Sequence, residues 1–162
     1  QPDNERRELQ AYRALLACPV GSIGTEHSNP AQLRAAKAGF PLHLDDAVYY
    51  CGFNSPQSFG ANSFFVRHPD GNWLIDSPRY IKHLVDAFQR MGGLAFIFLT
   101  HEDDVADADQ YAKQFGARRI IHRADAEAVP DAEWILDGAD AIRLAPQFQA
   151  IPVPGHTPGS HA

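Results

Sequence analysis

Three apolar runs in this chain end on residues that can hold a cation or move a proton. "WLIDSP" ends on Asp76, "FIFLTHEDD" on His101 with Asp103 and Asp104 just behind, and "IPVPGHTPGS" on His156. Imidazole nitrogen and carboxylate oxygen together make a workable ligand set for zinc or iron. Each residue also has a plainer use. Asp103, Asp104 and Asp107 are what the start of a helix near Val105 would favour, because carboxylates complement helix N-termini. His101 and His156 can serve as hydrogen-bonded packing residues, and Asp76 ahead of Ser77-Pro78 as a turn former. His122, which ends "RRIIH", is read as structural and Cys51 as core; His27, His43, His68, His83 and His161 are read as surface or packing residues.

Bringing these side chains together requires strand ends on one edge. "LAFIFLT" (94–100) is a continuous apolar run, the pattern of a parallel strand buried on both faces, and such strands deliver their last side chains to the sheet edge where α/β proteins place their chemistry. "AVYYCGF" and "NSFFVRH" are β-rich, and Asp70-Gly71 before "WLIDSP" marks a hairpin. Two helices precede these strands. One covers 4–17, with an Asn cap and Leu9, Tyr12, Leu15 and Leu16 on one face; it breaks at Cys18-Pro19. The other covers 25–38, with Pro30 near its start and Gly39 at its stop. Ile81, Leu84, Val85 and Phe88 recur at helical spacing over 80–91. Beyond the strand at 94–100, the pattern predicts a helix over about 105–115 closed by Gly116, the strand "RRIIH", a short helix near 124–129, and strands near 134–136, 141–144 and 149–153. The alternation predicts an α/β sheet covered by helices.

Composition narrows the function. The 162 residues, 44% hydrophobic, suffice for one sizeable core. Lys+Arg 14 against Asp+Glu 20 gives a net charge of -6, and the basic residues cluster no further than Arg6-Arg7 and Arg118-Arg119, which weighs against nucleic acid as a partner. No apolar run reaches the roughly 20 residues that span a bilayer, and residues 1–8 are too polar for a signal peptide. Two cysteines without CxxC spacing favour a reducing compartment.

The order strand-Asp, strand-Thr-His-x-x-Asp, then Gly-His-Thr-Pro-Gly-Ser resembles the first three motifs of the metallo-β-lactamase superfamily over about residues 43–162. The resemblance implies the N-terminal part of an αββα sandwich, with metal at its edge activating water for hydrolysis. It implies Asp76 as an organiser behind the metal ligands and His101 and His156 as ligands. The family's second motif is His-x-His-x-Asp-His; in that register Asp103 takes the second histidine's place, and Val105 and Ala106 that of the Asp-His pair. A register shifted by two places uses Asp104 and Asp107, and Ala108 falls where the last histidine belongs. The family's fourth and fifth motifs would lie beyond Ala162. The expected site is therefore an altered one: Asp76 and Asp104 on the catalytic side, and His101, Asp103 and His156 on a divalent metal, zinc or iron.

At the other end, "ALLACPVGSIGT" resembles the closing Cys-Pro segment of a bacterial-type ferredoxin module. It resembles especially the plant and cyanobacterial proteins that fuse such a module to a metallo-β-lactamase domain; "VYYCGFNSPQSFGANSFFV" is similar to the start of their hydrolase-like part. That resemblance implies residues 1–40 as the helical tail of a ferredoxin-like module with its linker, and 41–162 as the metallo-β-lactamase-like domain, both belonging to a longer chain. Cys18 would then ligate a 4Fe-4S cluster whose other thiolates precede Gln1. The expected functions are hydrolysis of an ester, thioester or similar small substrate, a non-catalytic assembly subunit of a chloroplast complex, or Fe–S-linked redox chemistry. A chloroplast or cyanobacterial cytoplasm is the expected location. The expected partners are a small-molecule substrate or a complex subunit, with the other half of the sandwich supplied by the same or another chain.

Overall fold

In the computed structural model, which describes residues 4–162, four α-helices and nine strands are formed among the described residues. The first three residues of the expected 1–40 segment lie outside them. Helix α1 (Glu5–Ala17) starts where Asn4 Oδ1 accepts the Arg7 N–H at 3.0 Å, and it stops at Cys18 because the residue before a proline is pushed out of the helical region. Helix α2 (Pro30–Ala38) begins five residues later than Thr25, the expected cap. Asn29 supplies the cap instead, accepting the Gln32 N–H, while the Thr25 hydroxyl donates to the His27 carbonyl. The buried Tyr12 hydroxyl accepts from Asn29 N at 2.6 Å, so α1 holds the cap of α2 in place.

Seven strands form one sheet in sequence order: β1 (Leu42–Asp45), β2 (Val48–Tyr50), β3 (Phe64–Val66), β4 (Trp73–Ile75), β5 (Phe96–Phe98), β6 (Arg118–His122) and β7 (Trp134–Leu136). The first four pair antiparallel, the last four parallel. Helices α3 (Lys82–Arg90) and α4 (Ala108–Phe115) make the crossovers β4 to β5 and β5 to β6. Alternate residues of the central strands feed two cores, as the two-residue period of a strand requires. Leu74, Ile97, Leu99 and Ile121 pack with Leu84, Phe88 and Tyr111 of the helices. Trp73, Phe98, Ile120 and Leu136 face the opposite side, where the hairpin of β8 (Ile142–Ala145) and β9 (Phe148–Ala150) covers them. Trp73 is stacked between Phe96 and Phe148, with centroids 4.4 and 4.5 Å away. Burial on both faces is why these strands read as unbroken apolar runs.

Two local expectations change. The helix expected from 105 starts at Ala108; residues Glu102–Asp104 wind instead as a 3-10 turn, and Ala106 at φ 30 breaks the path between them. The segment after β6 is likewise a 3-10 helix, Arg123–Ala128. Gly116 closes α4 at φ 66, a left-handed cap that glycine adopts without steric cost. No helix among the described residues is long and apolar enough to cross a membrane.

Candidate metal centre

Strands β4, β5 and β6 run parallel, so their carboxyl ends share one edge of the sheet. Asp76 leaves β4 with its N–H on Phe98 O, and His161 N binds Thr100 O, which carries the Gly-His-Thr-Pro-Gly-Ser turn to the end of β5. Asp76 is buried, and its two carboxylate oxygens accept from the Thr100 N–H at 2.8 Å and the Thr100 hydroxyl at 3.0 Å. With its proton given to Asp76, the Thr100 oxygen can only accept from His101 Nδ1, 3.0 Å away. The His101 ring is thereby fixed with Nδ1 protonated and Nε2 carrying the free lone pair, the orientation in which histidine binds metal.

Nε2 of His101 faces Asp103 Oδ2 at 3.8 Å, and His156 Nε2 lies 2.8 Å from that same oxygen. The two imidazoles meet edge to face with centroids 5.0 Å apart. One ligand atom from each of His101, Asp103 and His156 falls within 4.8 Å of the others. Two bonds of about 2.1 Å to a shared zinc span about 4.2 Å, so the set is nearly closed around one ion. Exposure rises from 17% at His101 through 34% at Asp103 to 69% at His156, so the cluster opens to solvent on the His156 side. Three protein ligands plus an open position is the pattern of a catalytic rather than a structural zinc site, and the donor set fits a divalent cation.

The remaining carboxylates divide. Asp104 is buried, 3.6 Å from His101 Nδ1 on the side away from the cluster, and burial raises its carboxyl above the usual range against the pull of His101. Asp107 is not with the cluster: its Oδ2 accepts from the Tyr80 N–H at 2.7 Å and its Oδ1 from the Gln110 side chain. None of the three acidic residues expected at the start of α4 accepts a hydrogen bond from that helix's first amides, and α4 begins without a side-chain cap. His122 is structural, with Nδ1 accepting the Ala124 N–H and Nε2 donating to Gly138 O. His161 is buried, with Nδ1 on Gly159 O.

Three residues that build the edge had no role assigned from the sequence, although Thr100 and Ser160 stand within its motifs. Thr100 is the link from Asp76 to His101. Asp125, in the segment read only as a short helix, is 1% exposed and accepts from the Thr157 hydroxyl at 2.5 Å, Gly159 N at 3.0 Å and Glu102 N at 3.3 Å. Ser160 closes the turn by accepting the Thr157 N–H at 3.1 Å. The available signal for Asp125 was its place three residues past the end of an apolar strand, as His101 stands past β5, with Asp76 directly after β4.

Cys18 sits at the C-terminal end of α1, its Sγ 3.4 Å from Ser22 Oγ. That hydrogen bond first, then the Ile23 and Val20 amides, lower its thiol to about 6. Cys51 lies in the core, where burial pushes its thiol up to about 12. A 4Fe-4S cluster needs four thiolates, and the chain has these two cysteines alone.

The family profile described as the metallo-beta-lactamase superfamily matches residues 40–160. The hydroxyacylglutathione hydrolase of Acidiphilium cryptum (strain JF-5) is 32% identical over 101 residues, covering 60% of this chain and 41% of that protein. Among solved structures, the beta-lactamase from Chitinophaga pinensis superposes with a TM-score of 0.56 at 20% identity, covering 74% of this chain and 54% of that one. The native FEZ-1 metallo-beta-lactamase from Legionella gormanii gives 0.55 at 16% identity, covering 74% and 55%. An α/β sheet whose parallel strand ends gather imidazole and carboxylate thus has the fold of metallo-beta-lactamases. The chain belongs to the metallo-beta-lactamase superfamily and spans about half the length of the relatives it matches.

Proposed function

We propose that this chain carries a hydrolase-type centre in which His101, Asp103 and His156 hold one divalent cation, zinc or iron. The observation that carries the reading is the His101 ring: Asp76, acting through Thr100, leaves Nε2 free on the side where Asp103 and His156 converge. When bound, such a cation supplies a nucleophilic hydroxide at neutral pH and polarises a carbonyl. The chain's own residues would orient and charge-balance the site: Asp76 fixes the ring, Asp104 stands on the Nδ1 side of His101, and the open His156 flank admits substrate. The set is altered relative to the family pattern, with Asp103 in a histidine position and Ala106 or Ala108 in another. This matches a single-cation centre rather than a pair. The similarity to a hydroxyacylglutathione hydrolase favours a thioester or ester among small substrates.

The same alanines favour a second reading, a non-catalytic assembly module such as a subunit of a chloroplast complex. Redox chemistry through Cys18 needs thiolates beyond this sequence. Zinc titration of the purified protein against a chromophoric chelator, with thioester hydrolysis followed in parallel, separates the first two. Wild type should bind one zinc and hydrolyse; His156→Ala should lose both. A wild type that takes no zinc, or an unchanged His156→Ala turnover, would reject the hydrolytic centre.

A further inference from the structure

Asp125 touches none of the proposed ligands, yet its buried carboxylate is bonded to both segments that carry them. Oδ2 accepts from the backbone of Glu102, flanked by His101 and Asp103, and also from the hydroxyl of Thr157, next to His156; Oδ1 accepts from Gly159 in the same turn. The packing around it is tight. A Cβ on Gly159 would lie 2.5 Å from the Asp125 carboxyl carbon, so the turn closes directly onto this carboxylate. His156 follows Asp103 by 53 positions in the chain, and the donor distances across the cluster are set by whatever clamps the two segments.

We infer that Asp125 is a positioning residue, a buried clamp that sets the separation of His156 from His101 and Asp103. The inference rests on the metal reading above and deepens it. Replacing the carboxylate by a carboxamide breaks the clamp on one side. In Asp125→Asn the retained oxygen can still take Gly159 N–H, and Thr157 can turn its hydroxyl to Ser160 Oγ, 2.8 Å away. The amide nitrogen then confronts the Glu102 N–H, donor against donor, and the tie to the His101 segment is lost.

The experiment measures zinc affinity by chelator competition, and amide hydrogen exchange of the metal-free protein, for wild type, Asp125→Asn and Thr157→Val. Thr157→Val removes the hydroxyl that bonds Asp125 and Ser160, leaves the carboxylate on Glu102 and Gly159, and serves if Asp125→Asn fails to fold. Glu133→Gln is the control for lost stability away from the edge, because it loosens the buried Arg119 cluster. Partners behind metal ligands typically carry about 10–100-fold in affinity. Asp125→Asn should fall in that range and lose exchange protection at Glu102 while staying folded, Thr157→Val should show a smaller loss, and Glu133→Gln should bind zinc as wild type does. Folded Asp125→Asn binding zinc like wild type, or losing no more affinity than Glu133→Gln at matched loss of stability, would overturn the inference. A wild type silent to zinc would instead reject the metal centre itself, and a Glu102 amide equally protected in Asp125→Asn would show that no clamp exists, with or without metal.

Discussion

The hydrogen-bond direction at Thr100 decides which nitrogen of His101 is available. With Asp76 ionised, the single hydroxyl proton goes to it, and the ring donates Nδ1–H and presents Nε2. Asp76 itself is under opposing influences: burial raises its carboxyl from 3.8 to about 7, while the Thr100 N–H and hydroxyl pull it down. A carboxyl raised in the folded state contributes most to stability below its ordinary value and loses that contribution as pH rises through the folded one. Metal-free wild type should therefore lose stability relative to Asp76→Asn between about pH 4 and pH 7, read from urea midpoints across that range. A pH-independent difference would show that Asp76 is ionised throughout. Asp76→Asn should also weaken zinc binding by about 10–100-fold, since the amide no longer dictates the proton order through Thr100. Asp76, His101 and His156 were legible in the sequence because each ends an apolar run; Thr100 was not, since a threonine at a strand end is ordinary and its role lies in one proton.

At the scale of elements, period and punctuation read correctly where one force dominates. Strand β6 is Arg118–His122, the "RRIIH" run itself, and helix α3 follows the Leu84, Phe88 spacing because its inner face meets Phe65 and Tyr111. The start of α4 did not read correctly. "EDDVADAD" has the composition of a capped helix, but Asp107 is turned to the Tyr80 N–H ahead of α3, and the positive φ at Ala106 interrupts the chain. Tertiary partners outbid the local cap there, which no window of sequence reports. The helical layer itself should be costly to disturb. Phe88 is fully buried and stacked on Phe65 at 5.0 Å, so Phe88→Ala should cost about 3–5 kcal/mol in urea unfolding. A loss under 1 kcal/mol would mean that α3 packs more loosely than its contacts require.

For the whole molecule, the informative surface is the sheet face away from α3 and α4. Burial on both faces was implied by the apolar runs, but which segment covers the second face was not, because β8 and β9 are short and their sequences alternate weakly. The hairpin lays Phe148 flat on Trp73, 4.5 Å and 12° apart, and the chain then continues into the His156 turn. Ile151 pairs with Ala162 in both directions, and Val153 N–H binds Ser160 O, so the turn hangs from a short ribbon that extends the hairpin. Stability of the second face and placement of His156 are therefore coupled through one element. Phe148 is half-buried, so Phe148→Ala should cost about 2–3 kcal/mol, less than a fully buried phenylalanine. It should also lower zinc affinity, although Phe148 lies eight positions before His156. Urea unfolding and chelator competition on the same sample test this. A destabilised variant that binds zinc as tightly as wild type would show that the Asp125 clamp holds the His156 turn without help from the hairpin.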